Sequence, residues 1–386
     1  MRAALAIMAI WAAGLGAAAQ FGKMSLLFGQ LGVAYADYAG VGIGLMVSIV
    51  GIVGLTFGTT AGLLVARIGP KRVILAALVL AAAVSAVQIS MPSYPVMMAS
   101  RVFEGVSHLA IVVVGPTAIS GLAPARHQGA AMTLWSSFFG VAYAALFYFG
   151  PGVAAAHGEG AIFAGHAAWM LGCALLLWWL MPPDPAVKPA TGLGGLWQQH
   201  REIYASAFVA APAMGFACYT MTYVALLTLL PALMGPTWGG FVGVAMPLMS
   251  IAVSLTLGVW LLQRMTAVAL VQAGFFLACG ACAGLWLLWG QGPWAAGCAL
   301  FMAGSLGIVQ GASFASLPQL NPEPGDRARG AGAIAQLGNL GTTSGTPLLA
   351  LAIQGAGISG LALFVIGFSV LGVAIHTLQA RRRASV

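Results

Sequence analysis

Arg101, Glu104 and His108 stand at i, i+3 and i+7 in "RVFEGVSH", a spacing that puts all three on one face of a helix. A guanidinium offers a planar fork that grips a carboxylate through two parallel hydrogen bonds. A carboxylate and an imidazole can carry or relay a proton. A second pair, Gln20 and Lys23, shares a helical face in "QFGK". Two cations against one acid leave positive charge to spare. The chemistry these residues offer is therefore the binding of an anion, with Lys23, Arg101 and Gln20 as its contacts and Glu104 and His108 as the proton-handling pair. A purely structural Arg–Glu–Lys network that orients two helices is the other reading of the same spacing.

The elements that must position them are apolar. Asp, Glu, Lys and Arg make up 6% of the 386 residues and hydrophobic residues 61%, whereas a soluble chain is about one quarter charged. Such a chain cannot build a polar surface, which excludes an ordinary soluble domain. Apolar runs long enough to cross a bilayer, about 20 residues, recur near 4–32, 40–64, 72–91, 94–121, 129–155 and 160–182. After a polar, Pro- and Gly-rich stretch they resume near 203–232, 238–263, 266–289, 292–317, 330–353 and 356–378. The runs are continuous rather than alternating, so they read as helices and not as a barrel. The expected organisation is an N-terminal six-helix bundle over 1–182, a cytoplasmic linker over 183–202, and a C-terminal six-helix bundle with a basic tail over 203–386.

Charge placement supports twelve spans. Lys23 and Arg101 lie inside spans; the other thirteen Lys and Arg all fall on one side, while the opposite loops carry Asp37 and Glu159. Basic residues mark the cytoplasmic face, so both termini are expected there, in a cell inner or plasma membrane. The net charge of +8 is thus an orientation signal toward anionic lipid, and no nucleic-acid partner is expected. A charge at the bilayer centre costs about 2.5–3.5 kcal/mol, so the buried ones should pair, with Glu104 shared between Arg101 and Lys23. Five cysteines, an odd number within apolar segments, argue against a disulfide framework.

Two halves of six spans point to an internal duplication. "RHQGAA" from Arg126 and "RARGAG" from Arg327 stand at matching places after the fourth and tenth spans.

The turn between spans 2 and 3, "GLLVARIGPKR", resembles the signature G-x-L-x-D-R-x-G-R-K-R of the major facilitator superfamily. Gly62, Leu64, Arg67, Gly69, Lys71 and Arg72 match it; Ala66 replaces the usual Asp, and Pro70 an Arg. Arg101 and Gly105 also match that family's R-x-x-x-G in helix 4. The resemblance implies an all-α membrane protein of twelve transmembrane helices in two pseudo-symmetric six-helix bundles, with Gly62, Arg67, Gly69, Lys71 and Arg72 as a gating motif. It also implies a substrate site near the midplane, exposed to each side in turn. The missing Asp removes the usual partner of the basic side chains. The helix 5 glycine–proline pattern of exporters is incomplete around Gly140, Gly150 and Pro151, which favours uptake.

The second half offers neutral polarity: Tyr219 and Tyr223 at i, i+4, and Gln336, Asn339 and Thr343 at i, i+3, i+7. The tyrosines, Gln336 and Asn339 are candidate substrate contacts. Met214, Cys218 and Met221, like His166, Met170 and Cys173, have the ligand types of Cu(I), but Met is a common filler of apolar helices, so no metal site is assigned. No catalytic constellation and no phosphate-binding loop is present, so no enzyme activity, no cofactor and a gradient rather than ATP as the energy source are expected. The reading is a monomeric, proton-coupled transporter that takes up a small, anionic organic solute. A Cu(I) importer, a vitamin permease and a hydrophobic drug exporter are the alternatives, and a non-transporting receptor or scaffold would not need the buried charges.

Overall fold

A computed structural model describes residues 2–38, 40–61, 65, 68–124, 131, 134–184 and 196–385. Among them every regular element is a helix, because backbone polar groups in lipid must be satisfied within their own segment. In the first half these are α1 (Arg2–Leu26), α2 (Phe28–Ala34), α3 (Val41–Ser48), α4 (Gly51–Phe57), α5 (Pro70–Gln88), α6 (Tyr94–Leu122), α7 (Phe138–His157) and α8 (Gly160–Leu180). Then come α9 (Leu196–Ala205), α10 (Ala211–Leu233) and α11 (Gly235–Val253), which passes through a π turn (Ser254–Gly258) into α12 (Val259–Leu262). The last three are α13 (Ala267–Leu287), α14 (Pro293–Leu320) and α15 (Pro324–Ala384).

Ten helices among the described residues are long and apolar enough to cross a membrane. The last of them holds two spans, because α15 breaks at Ala356 and Gly357, the latter at φ +56°. The second span is a twelfth, but it is not the continuous helix expected over 40–64. It is broken into α3 and α4 by a turn at 49–50, where the Ile52 N–H donates to Ile49 O (3.0 Å) rather than one residue further back. The linker region also contains a helix, α9, that its Pro- and Gly-rich composition did not announce.

Packing divides the chain into two units. One comprises Met1–Ala39 and Ile49–Thr191, the other Gly40–Ser48 and Gly192–Val386. In the first, α1 packs on α6, α7 and α8, and α5 on α6 and α8. Ala6, Ile10, Ala13, Leu78, Ile111, Met170 and Leu177 share its apolar core. In the second, α10 and α13 pack on α15, α11 and α13 on α14, and α3 on α15.

One contact recurs in both units. A Cβ on Gly105 of α6 would lie 2.4 Å from Val50 O, and a Cβ on Gly307 of α14 would lie 2.2 Å from Ser250 O. Each glycine lets its helix touch the backbone of the second span of its own half. The shared crossing supports the duplication and aligns "RVFEG" with "AGSLG", so that Ala303 and Leu306 stand where the first half has Arg101 and Glu104.

Candidate functional site

The described charges buried within the first unit converge on Glu104. Lys23 of α1, Arg101 and Glu104 of α6 are each fully buried. Glu104 Oε1 pairs with Lys23 Nζ and Oε2 with the Arg101 guanidinium, the sharing that the spacing predicted. Around them stand four polar groups that spacing along the sequence does not bring together: Ser85 and Gln88 of α5, Ser100 of α6 and His166 of α8.

Their hydrogen bonds fix most proton positions. Lys23 Nζ donates to Ser85 Oγ (2.8 Å) and Gln88 Oε1 (2.7 Å) as well as to Glu104, which occupies the three donors of an ammonium. Gln88 Nε2 donates to Ser100 Oγ (2.8 Å) and Glu104 Oε2 (3.1 Å). Ser100 Oγ passes its own proton to Met97 O (2.6 Å). His166 Nε2 lies 2.9 Å from Gly16 O. A carbonyl only accepts, so Nε2 carries a proton; in a neutral ring Nδ1 then accepts from Ser85 Oγ, 2.6 Å away. The Lys23 ammonium also lies 5.2 Å from the centre of the Phe163 ring, within cation–π range. Two cations and one carboxylate thus sit in a buried, hydrogen-bonded cage.

The remaining first-half candidates lie near this cage. Gln20 is fully buried; its Nε2 donates to Ser107 Oγ (3.3 Å), and its Oε1 has no partner. His108 Nδ1 donates to Ala17 O (3.1 Å), and its ring meets the edge of Phe21 at 5.1 Å. His108 therefore bridges α6 to α1. His166, read from sequence beside Met170 and Cys173, belongs with Ser85, while Met170 presses on Gly16 and shares the apolar core with Cys173.

In the second unit Tyr219 and Tyr223 are buried and stacked, with ring centres 5.1 Å apart. Asn339 Nδ2 donates to Ala335 O of its own helix (2.7 Å). Gln336 is held by the linker helix α9: Tyr204 Oη donates to its Oε1 (2.7 Å), and His200 Nε2 lies 3.3 Å from its Nε2. Burial pushes the Tyr204 phenol up to about 12, which keeps it a neutral donor. Met214 Sδ accepts from Gln379 Nε2 (3.0 Å), and Cys218 is buried beside it on α10. Among the described residues no three His, Cys, Asp or Glu side chains are grouped as metal ligands.

Of the turn motif, Gly62 and Arg67 lie outside the described residues, with Leu64 and Ala66. Gly69, at φ +102°, precedes Pro70, the first residue of α5. Here the missing acid has a substitute. Asp184, beyond the end of α8, accepts from the backbone N–H of Lys71 (2.7 Å) and of Arg72 (3.0 Å). It caps the positive end of α5. Lys71 Nζ in turn donates to Met181 O (2.7 Å), so the turn is tied to the end of α8. A Cβ at position 69 would lie 2.3 Å from the Asp184 carboxyl carbon, so only glycine admits this cap. Asp184 in "PPDP" falls in the stretch expected to be linker, and nothing in its spacing links it to a turn more than a hundred residues earlier.

A search of curated proteins finds no match. Solved structures share the fold at low identity. The crystal structure of a bacterial homolog of the human lysosomal transporter Spinster, inward-facing and unoccupied, matches with a TM-score of 0.76 at 13% identity, covering 98% of this chain and 97% of that one. The inward-open xylose transporter XylE from E. coli matches at 0.73 and 13%, covering 95% and 94%. The human organic anion transporter MFSD10 (TETRAN) matches at 0.70 and 16%, covering 97% and 99%. The family model described as Major Facilitator Superfamily matches residues 3–346. With its helical architecture, its repeated glycine crossing and its turn motif, the chain belongs to the Major Facilitator Superfamily.

Proposed function

We propose that the protein takes up a small organic anion together with protons, with Arg101 and Lys23 attracting the anion and Glu104 as the coupling acid. One observation carries the reading. The second unit builds the same glycine crossing with Ala303 and Leu306 where the first has Arg101 and Glu104. The crossing therefore does not need the charges, and a buried ionisable cluster in a membrane marks a functional path by default.

Glu104 neutralises one of its two cations at most, so the cage carries a surplus positive charge that a substrate carboxylate would balance. When Glu104 takes a proton, both cations turn toward the anion. When it gives the proton up, it competes with the anion for Arg101 and promotes release. The unpartnered Gln20 Oε1 is an acceptor for a substrate hydroxyl or amide. Tyr219, Tyr223, Gln336 and Asn339 are the proposed contacts from the second half, with Gln336 available only when Tyr204 lets it go. The residues matching the turn motif, Gly69, Lys71 and Arg72 with their Asp184 cap, would act in gating, as would Gly62 and Arg67. The organic anion transporter among the structural neighbours agrees with this substrate class. The protein would work as a monomer in an inner or plasma membrane with cytoplasmic termini, its six-span halves rocking to expose the site alternately.

A second reading has its own support: every Lys23 donor is used inside the unit, as in a structural clamp. Binding separates the two. Arg101→Lys keeps the charge and loses the fork. If Arg101 grips substrate, a screen of organic acids by thermal shift should find ligands for the unmodified protein whose stabilisation is lost in Arg101→Lys while the unliganded melting point holds. Equal stabilisation of both proteins favours the clamp.

A further inference from the structure

We infer that a sodium ion binds within the second unit where α3 ends against α15, held by Ser48 Oγ, Thr346 Oγ1, Thr343 Oγ1 and the Thr343 carbonyl. The register places them together. Gly40 abuts the Gln354 side chain, and a Cβ on Gly44 would lie 2.8 Å from Pro347 Cα and 3.3 Å from the Thr346 carbonyl carbon. Rising numbers on α3 meet falling numbers on α15, so the helices are antiparallel. Carried on by one helical turn from the Gly44–Pro347 contact, this register brings Ser48 to the level of Thr343.

Three side-chain oxygens on this seam lack partners. Ser48 Oγ, Thr343 Oγ1 and Thr346 Oγ1 are buried with no hydrogen bond, and Ser48 and Thr346 are fully buried. Serine and threonine in a helix ordinarily return a bond to a carbonyl of the preceding turn, as Thr342 does to Gly338 O (3.3 Å) and Asn339 O (3.2 Å). These three do not, and a buried hydroxyl without a partner calls for a missing one. Two backbone features add acceptors at the same level. Pro347 has no N–H for the Thr343 carbonyl one turn back. Ser48 is the last residue of α3, whose broken end concentrates the negative pole of the helix.

A half-helix C-terminus with unwound carbonyls is how transporters hold a monovalent cation. All four oxygens are neutral, whereas divalent sites rely on carboxylates to replace the hydration shell, so the site selects a singly charged ion. It stands apart from the Glu104 cage and does not rest on the proton-coupled reading.

The test is equilibrium binding of radioactive sodium to the purified, detergent-solubilised protein, with potassium and choline chloride as competitors. Saturable binding of one sodium per chain, resisted by choline and only weakly competed by potassium, is expected. Ser48→Ala and Thr346→Val should each weaken it about tenfold, the factor carried by one oxygen contact to a charge, and Thr346→Ser should restore it. Melting points in choline alone identify any variant that fails to fold. Glu104→Gln should bind sodium as before, which separates this site from the anion cage. Absence of saturable sodium binding to the unmodified protein overturns the inference, as does binding that ignores both hydroxyl deletions. Equal competition by potassium overturns the assignment to sodium.

Discussion

Replacing the charged cage by apolar side chains should leave the protein folded and abolish transport. The relevant variant carries Lys23→Met, Gln88→Leu, Arg101→Met and Glu104→Leu together. Removing Glu104 alone strands two fully buried cations and should cost about 3–5 kcal/mol, as breaking a buried ion pair does. Removing all three charges is different, because isosteric apolar replacement of a buried triad is often neutral or stabilising by about 1–4 kcal/mol. Gln88 has to change with them, since its Oε1 accepts from Lys23 and its Nε2 donates to Glu104; left alone it would retain a desolvated amide at about 1–3 kcal/mol. Ser85 keeps His166 and Ser100 keeps Met97 O, so those two need no change. The quadruple variant should therefore unfold at or above the temperature of the unmodified protein, while Glu104→Leu alone unfolds well below it. Thermal unfolding in detergent and solute uptake into proteoliposomes give the two readings. A quadruple variant that is as unstable as Glu104→Leu would refute the reasoning, because the cage would then be a strut rather than a site.

Asp184→Ala removes the cap on α5 and should lower stability by about 1 kcal/mol, read as a drop in melting point, with Asp184→Asn milder; no change would mean that Lys71 alone holds the turn. Gly69→Ala should do more harm than either, from both its positive φ and the clash with Asp184. The Tyr204 phenol is raised to about 12 in the fold from about 10 in an unfolded chain, so its contribution is full below pH 10 and lost as pH rises toward 12; Tyr204→Phe should flatten that part of the alkaline stability profile. Single cysteines placed at Asp37 and Glu159 should react with an impermeant maleimide in intact cells and one at Arg327 only after permeabilisation; outside labelling at Arg327 would break the twelve-span topology.

How much was legible depended on whether the signal was local. Span number and the sharing of Glu104 could be read because hydropathy and the i, i+3 spacing lie within one segment. The break in the second span could not, since only Ser48 interrupts the apolar residues of "GLMVSIVGIV", and the contact of its turn, Val50 O against Gly105, is made with a distant helix. Ser85, Gln88 and His166 escaped because a few polar residues on apolar helices look like ordinary helix glue; only the fold shows that they meet at Lys23. Asp184 likewise becomes a cap through a return of the chain that composition does not encode. Gln336 had the right helical face for a solute, yet its partner turned out to be the linker helix, an element hidden by the Pro- and Gly-rich residues before it.

The central claim, that Glu104 couples a proton to movement of an anion, is tested most directly by Glu104→Gln in proteoliposomes with and without an imposed pH gradient. An anion accepted by the unmodified protein should accumulate above its external concentration only when the outside is more acidic. Glu104→Gln should still exchange labelled for unlabelled anion at equilibrium but should not accumulate it under the gradient. Full gradient-driven accumulation by Glu104→Gln would contradict the account.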